Sequence, residues 1–537
     1  MAESSSADVT AAAAVDGAAA VDGADGIADA LAHGGPDWGL IVFGALLCVA
    51  FLILGLRVAG AGRQDGERYL VVRNTMGVRS MVATLVASLS GMWVLLSVPE
   101  TFMLFGGLAA VIGYAVAQAA PMPLFAVFGA RLRQLMPQGF SLVEFARRRY
   151  GRGYGAGVAL ITLFYLWVYL AAELTAIGLA FSVTAGVAPW LTAGVVAVTA
   201  AAYALRGGAV SSIVTDRVQF VGLVLIMAAL TAAVIWVSPG PAFSAAAEAN
   251  PQAFWPLVAT DTPWTALRFG LVLVIALVVS NLFDQGFWQR VFACRDGRTV
   301  WISYGIAALL IAPVLLLSGL GAATAQALGV VPEGEAQTAL FHLAREVMPG
   351  LGLFLLLGLG LVLVMSSVDT LIAALVSLGA TEGRRLRPST PLPRAIGWAQ
   401  LGVCVVILAA LPIAAQGWSV LYLFLLADLI CAGVVVPLFA GLYTRRLPGW
   451  GACVAGVLGI ASGVLYFPAP DWSPLVGPLP GPLGWLPAGD LLTAFIVPLV
   501  VSALVALAIA CCYSPKFDMN SLKSRDGDPA PLPEEAS

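Results

Sequence analysis

A short polar segment inside a very apolar stretch carries side chains suited to ion chemistry. Residues 364–371 contain Ser366, Ser367, Asp369 and Thr370, and the residues before them carry no charge. Ser366, Asp369 and Thr370 are spaced i, i+3 and i+4, so they share one face of a helix. Intramembrane carboxylates are costly and mark functional sites by default, and hard oxygen donors suit a small cation. The pattern favours an ion or substrate site, with a helix-packing patch as the alternative.

Two further acids lie in the middle of apolar segments. Glu173 stands in the sequence Tyr-Leu-Ala-Ala-Glu-Leu-Thr, and Asp428 stands in Leu-Leu-Ala-Asp-Leu-Ile-Cys. A buried carboxylate at position 173 can attract a cationic solute, carry a proton or bond structurally to neighbouring helices. Asp428 is interpreted as an intramembrane acid that pairs with another helix.

Two more acids lie near the ends of apolar segments. Asp216 is followed directly by Arg217, so a solvated ion pair at the membrane interface is its simplest chemical account, and cation binding is the alternative. Asp284 and Gln285 stand on an interrupted stretch. They are interpreted as solute ligands, with a gate or loop role as the alternative.

The overall composition is that of a membrane protein. Hydrophobic residues make up 60% and charged residues 11% of the chain, against about 25% charged in soluble domains. A net charge of −3 with two His gives no nucleic-acid signal, and the seven Cys show neither metal-ligand spacing nor a disulfide framework. The sequence contains no phosphate-binding loop and no catalytic triad pattern. We therefore predict neither an ATP-driven pump nor an enzyme.

Apolar stretches of spanning length set the architecture, an all-α polytopic membrane protein with about thirteen transmembrane helices. The stretches are approximately 38–60, 80–98, 102–129, 155–187, 190–206, 212–238, 266–289, 299–327, 350–379, 395–414, 418–443, 449–467 and 490–512. The second and third are predicted to be separated only by residues 99–101.

The distribution of basic residues predicts the orientation. With the N-terminus outside, Arg268 and Arg345 alone of the 27 Lys and Arg fall on the outer side, as the positive-inside rule requires. We predict a plasma-membrane protein with a disordered extracytoplasmic tail over residues 1–37. The C-terminal tail, residues 514–537, is predicted to be disordered and cytoplasmic.

The segments also show an inverted symmetry. One helix (38–63) precedes two five-helix sets, about 76–238 and 265–445, and two helices follow within 446–513. The two sets start on opposite sides of the membrane, and each opens with a helix that polar residues interrupt, at positions 88–93 and 280–286. Paired interrupted segments indicate an inverted-repeat transporter with a site near the membrane midplane.

Several motifs in this order carry a resemblance over residues 64–445. They are Tyr-Ala-Leu-Arg-Gly-Gly (203–208), Thr-Asp-Arg-Val-Gln (215–219), Asp-Gln-Gly-Phe-Trp-Gln-Arg (284–290), Met-Ser-Ser-Val-Asp-Thr-Leu (365–371) and the segment 139–151. On these motifs the chain resembles the sodium:solute symporter family, which includes sodium/proline, sodium/glucose and urea/polyamine symporters.

The resemblance implies a LeuT-like fold, a ten-helix inverted-repeat core with a sodium site between the second and ninth spans. Carried over by position, the hydroxyls of Ser366 and Ser367 and the main-chain carbonyls of Val86 and Leu89 are implied sodium ligands. Asp216 matches an acid that some members use at a second cation site. Asp369 then becomes a supporting group or part of a separate site.

These observations predict sodium-coupled symport of a small polar, nitrogen-containing solute by alternating access through the lipid bilayer. The solute is expected near Trp93, Glu173, Asp284 and Gln285. Two alternatives remain open. One is proton coupling through Glu173, Asp284 and Asp369, and the other is a transporter-like sensor that signals through a separate partner.

Overall fold

The computed structural model is built almost wholly from helices. It describes residues 36–59, 66–139, 141–237, 248, 263–348, 350–476, 489–513 and 515–523. Within these ranges, nine helices are long and apolar enough to cross a membrane, or eleven spans if each of two bent helix pairs counts as one. The chain is therefore a multi-pass all-α membrane protein, as predicted. Residues 1–35 and 524–537, most of the two tails, lie outside the described residues.

The helices are numbered along the chain. They are α1 (Trp38–Ala59), α2 (Gly66–Leu70), α3 (Val78–Leu89), α4 (Ser97–Phe105), α5 (Gly107–Ala119), α6 (Pro121–Leu135), α7 (Leu142–Tyr150), α8 (Arg152–Ala185), α9 (Pro189–Val237), α10 (Pro263–Asn281), α11 (Gln285–Ala293), α12 (Gly297–Ala327), α13 (Ala339–Val347), α14 (Leu351–Leu386), α15 (Leu392–Gln416), α16 (Val420–Ala440), α17 (Gly449–Val464) and α18 (Leu491–Cys512).

Each of the thirteen predicted segments contains helix, and the lower span count has two local causes. The fifth and sixth segments form one run, α9, which is kinked at Gly208 with φ 56° and ψ −144°. Glycine alone adopts this backbone conformation readily, and a Cβ there would lie 2.4 Å from the carbonyl oxygen of Tyr69. The twelfth segment, α17, has 16 residues and is shorter than a typical span.

The boundary between the second and third segments differs from the prediction. Residues 99–101 do not form a loop but belong to α4, because Pro99 stands in the first turn, where a missing N–H costs no helical hydrogen bond. The chain turns instead at Gly106, whose φ of 112° ends α4.

The broken helices and α14 form the centre of the molecule. The α3–α4 pair is bent by 55° and the α10–α11 pair by 62°, which confirms both predicted interruptions. In the most apolar stretch of α14, 83% of the residues are buried, against 22% in α18. Helix α14 contacts α3, α8, α9 and α11, so its polar segment faces other helices and not the exterior.

Part of the C-terminal segment predicted to be disordered packs against the helices. The Phe517 amide donates to the carbonyl of Arg445 at 2.8 Å, and the Arg149 guanidinium lies 4.5 Å from the centre of the Phe517 ring. Met519 and Leu522 are buried. These apolar and aromatic contacts order residues 515–523, which composition alone assigned to the tail.

Candidate functional site

The polar face of α14 contacts the second half of α9. The Ser366 hydroxyl donates to Asp216 Oδ1 at 2.7 Å, and Asp216 is fully buried. One turn further along α14, the Thr370 hydroxyl lies 3.0 Å from the Ser212 hydroxyl. The structure therefore brings together Ser366 and Asp216, both predicted cation ligands, and gives Thr370 polar partners.

Arg290, at the end of the Asp-Gln-Gly-Phe-Trp-Gln-Arg motif, occupies the centre of this cluster. Its guanidinium donates to Asp216 Oδ2 at 2.7 Å, to the Ser88 hydroxyl at 2.5 Å, to the Thr84 hydroxyl at 3.0 Å and to the Thr370 hydroxyl at 3.1 Å. These contacts link α11 to α3, α9 and α14. A resident positive charge thus stands among the oxygen atoms that the sequence assigns to a cation.

A solvated pair between Asp216 and Arg217 is ruled out by this arrangement. Asp216 has no exposed surface, and its ion-pair partner is Arg290, from a different helix. The Arg217 guanidinium instead lies 3.7 Å from Met76 Sδ. Adjacent helical residues point about 100° apart, so Asp216 faces the core while its neighbour faces outward.

Asp369 forms a separate polar contact. Its Oδ2 accepts hydrogen bonds from the Tyr203 hydroxyl at 2.8 Å and the Thr215 hydroxyl at 2.9 Å. Among the described residues it forms no ion pair. The supporting or separate-site role predicted for Asp369 is compatible with this position beside the Asp216 cluster.

The remaining implied sodium ligands lie at the end of α3 and on another face of α14. The Val86 carbonyl accepts from the Ser90 amide at 3.1 Å, and the Leu89 carbonyl accepts from Gln118 Nε2 at 3.3 Å. Each carbonyl oxygen keeps a second lone pair. The Ser367 hydroxyl is buried and faces the Glu173 carboxylate.

These oxygen donors are of the type that binds a small hard cation, but they lie in two separate clusters. Ser366 and Asp216 belong to the Arg290 cluster. Ser367 points elsewhere, because successive residues of a helix diverge by about 100°, and it lies beside Glu173.

Glu173 reaches across to the break between α3 and α4. Its Oε2 accepts from the Met92 amide at 2.8 Å, and the carboxylate also faces the Ser367 hydroxyl. A Cβ on Gly91 would lie 1.8 Å from Oε1, so glycine is what allows the carboxylate to enter. Trp93 is buried in the same turn, and a solute site shared by Trp93 and Glu173 stays a prediction.

Asp284 caps a helix, a structural role that was not predicted from the sequence. Its Oδ1 accepts from the amides of Gly286 at 2.6 Å and Phe287 at 3.2 Å, and so caps the start of α11. Gln285 is buried in the same turn. Tyr169 lies within electrostatic range of both Asp284 and Glu173.

Sequence reasoning missed several members of the site. Thr84 and Ser88 are spaced i, i+4 on α3, a signal of one polar face. Arg290 belonged to a quoted motif without an assigned role. Glu100 was placed in a loop, yet it is buried in α4 and accepts from the Ser419 hydroxyl at 2.6 Å.

No family model matches the chain. A spermidine transporter of Candida albicans is 26% identical over 370 residues, which is 67% of this chain and 67% of that protein. This relative is a transporter and not an enzyme, in agreement with the prediction that the chain is not an enzyme.

Solved structures of transporters are similar to this chain. A Na⁺-coupled sialic acid symporter in a substrate-bound outward-open state matches with a TM-score of 0.69 and 17% identity, covering 89% of this chain and 98% of that one. Mhp1, a nucleobase-cation-symport-1 family transporter in a closed conformation, matches at 0.51 and 14% identity, over 84% and 97%. These neighbours confirm the predicted LeuT-like fold. Membership of the sodium:solute symporter family stays a prediction.

Proposed function

We propose that the protein is a sodium-coupled symporter of the sodium:solute symporter type that moves a small, polar, nitrogen-containing solute across the plasma membrane by alternating access. The observation that carries this proposal is Glu173. Its buried carboxylate enters the break between α3 and α4, where one oxygen accepts from the Met92 amide and the Ser367 hydroxyl is a neighbour. In a LeuT-like fold such breaks border the midplane site, and a buried carboxylate there selects a positively charged group.

The comparison with the Candida albicans protein supports a nitrogenous solute. That relative is a spermidine transporter, and spermidine carries amine groups that a carboxylate can bind. Trp93, in the same turn as the break, offers an aromatic surface to a cation. Asp284 and Gln285, at the start of α11, would complete the solute site in this proposal.

The sodium part of the proposal is supported by the oxygen donors of α3 and α14. The Ser367 hydroxyl is buried beside Glu173, and the Val86 and Leu89 carbonyls belong to the last turn of α3. Sodium bound there would supply positive charge that holds α14 to α3. Asp216 and Ser366 would form a second cation position, provided that Arg290 moves away from them.

Uptake into proteoliposomes tests the proposal. We expect an inward sodium gradient to drive accumulation of an amine such as spermidine, and a potassium gradient to drive much less. Ser366→Ala with Ser367→Ala is expected to abolish the sodium dependence. Ser462→Ala on the peripheral α17 serves as the control. Sodium dependence that survives the double substitution would show that the ion site lies elsewhere.

One observation favours proton coupling as a second candidate. Asp369 is buried with hydroxyl partners alone among the described residues, while Arg290 already supplies positive charge to Asp216. An acid without a basic partner can carry a proton across the membrane. Accumulation driven by a pH gradient in sodium-free medium, and lost in Asp369→Asn, would establish this mechanism instead.

A further inference from the structure

A segment that follows the last membrane helix packs against the face of the molecule that is predicted to be cytoplasmic. In residues 515–523, here called the strap, the Phe517 amide donates to the Arg445 carbonyl at 2.8 Å. Met519 and Leu522 stand in a short 3-10 turn and are 6% and 1% exposed. That turn contacts both α6 and α7. The strap therefore bridges two helices.

Arg149 on α7 anchors the strap. Its guanidinium lies 4.5 Å from the centre of the Phe517 ring and 4.6 Å from that of the Tyr150 ring, and the residue is 3% exposed. It also donates to the carbonyls of Gly441 at 3.3 Å and Thr444 at 2.8 Å. A cation–π contact is stronger where water is excluded. One buried side chain thus joins α7, the turn after α16 and the strap.

Ion pairs attach α7 to the end of α14. Arg147 on α7 pairs with Glu382 on α14, and Arg385 on α14 lies 3.5 Å from Glu144 on α7. Arg385 also pairs with Glu382 at 2.6 Å. These side chains are at most 17% exposed, so solvent screens the pairs less than it screens surface pairs. Helix α7 therefore forms one unit with α14, the helix that carries the polar face.

Helix α6 is attached instead to the second broken helix. Arg133 on α6 donates to the carbonyls of Val291 at 2.7 Å and Cys294 at 2.8 Å, which lie at the end of α11. The helix dipole favours a cation at that end. Residues 136–141 join α6 to α7 along the chain. Helices α6 and α11 thus form one unit and α7 and α14 another, and the strap contacts both.

Alternating access requires two such units to move against each other. In transporters with broken helices, one bundle rocks against the other around a fixed site, and α11 is half of a helix pair bent by 62°. A contact that is lost when the units separate stabilises the state in which they lie together. The strap adds such contacts through Arg149 and Leu522. Arg131 on α6 adds a longer link, to the Leu442 carbonyl at 3.4 Å.

We propose that the strap is an autoinhibitory device. Docked against Arg149, it holds the α6–α11 unit to the α7–α14 unit and slows alternating access, and its release speeds the transport cycle. This inference rests on the proposed transport by alternating access and adds a control on its rate. It does not depend on which solute or ion is carried.

Release of the strap in the full-length protein tests the inference. Phe517→Ala with Leu522→Asp removes the ring from Arg149 and places a charge at a buried position. Phe517→Tyr retains the ring, and Lys516→Ala, at an exposed position of the strap, is the matched control. Hydrogen–deuterium exchange of residues 515–523 is expected to be faster in the double variant alone. Exchange that is equally fast in the unmodified protein shows that the strap is not docked and overturns the inference.

Alkylation of Cys294 by a water-soluble maleimide reports opening without any solute. Cys294 is fully buried at the end of α11, so its reaction requires α11 to separate from its neighbours. We expect the double variant to react about tenfold faster, the change in rate that follows from losing one desolvated cation–π contact. Cys431 on α16, also buried, is the internal control, and peptide mapping by mass spectrometry separates the two. An unchanged rate at Cys294, or an equal rise at both cysteines, overturns the inference.

Sodium-driven uptake of spermidine by the same proteins separates this inference from the proposed function. The initial rate is expected to be about tenfold higher in the double variant and unchanged in Phe517→Tyr and Lys516→Ala. Absence of uptake in every protein counts against the proposed symport, whereas faster Cys294 alkylation in the double variant alone still supports the strap. Where the unmodified protein transports spermidine, an unchanged uptake rate in the double variant overturns the strap and leaves symport standing.

Discussion

Replacing Arg290 with methionine tests the ion pair at the centre of the α9–α11–α14 cluster. Arg290 and Asp216 approach to 2.7 Å, and their side chains are 3% and 0% exposed. Methionine retains much of the arginine stem but leaves the Asp216 carboxylate with hydroxyl partners only. Removing one member of a buried pair costs about 3–5 kcal/mol. We expect Arg290→Met to lower the free energy of unfolding by that amount.

A double-mutant cycle separates the ion pair from a simple loss of packing. Adding Asp216→Asn to Arg290→Met removes the charge that the first substitution leaves unpaired, so the double variant is expected to be more stable than Arg290→Met alone. Denaturant unfolding of the four proteins in the same detergent gives the coupling energy. Substitutions at independent sites have additive effects on stability, to within about 0.5 kcal/mol. If the stability losses of the two single variants sum to that of the double variant within this margin, the proposed ion-pair coupling is refuted.

The same four proteins report on cation binding by their response to salt. A ligand at a hundred times its dissociation constant stabilises the folded state by about 2.7 kcal/mol. Because Arg290→Met leaves Asp216 without its resident positive charge, we expect sodium chloride to stabilise that variant more than potassium chloride does. Adding Asp216→Asn to Arg290→Met is expected to abolish this difference between sodium chloride and potassium chloride. Identical responses to both salts in all four proteins would contradict a sodium position at Asp216.

Two smaller predictions follow. Gly91→Ala is expected to reduce amine binding strongly, because the added Cβ would lie 1.8 Å from Glu173 Oε1. Gly153→Ala is the control, because a Cβ on Gly153 meets nothing within 4 Å. His342 donates to Glu335, 2.5 Å away, and lowers the Glu335 pKa. The resulting stabilisation is less than about 1 kcal/mol, because the site is partly exposed. It should be present above pH 4.5, the ordinary pKa of glutamate, and should vanish as the pH falls through the lowered pKa of Glu335. Thermal unfolding of the unmodified protein and of Glu335→Gln, measured as a function of pH, checks this. A stability difference between the two proteins that widens in acid would contradict it.

The helical segments and the two broken helices were predictable from sequence for a local reason. Inside a membrane each helix must satisfy its own backbone hydrogen bonds, so an apolar stretch marks a helix and polar residues such as those at 88–93 and 280–286 mark its interruption. Glu100 shows the limit of this reasoning. A proline and a glutamate suggested a loop, but proline in a first turn is compatible with α4.

The sequence by itself determined which polar residues stand inside apolar segments, including Ser366, Asp369, Glu173 and Asp216. Only the tertiary structure decided their partners. Arg290 meets Asp216 across 74 positions, and Glu173 meets the Met92 amide across 81. Such pairings depend on how each helix is rotated and where the broken helices bend, and those are set by packing between segments distant in the chain. That packing gave Asp216 a resident arginine and brought the Glu173 carboxylate to the break between α3 and α4.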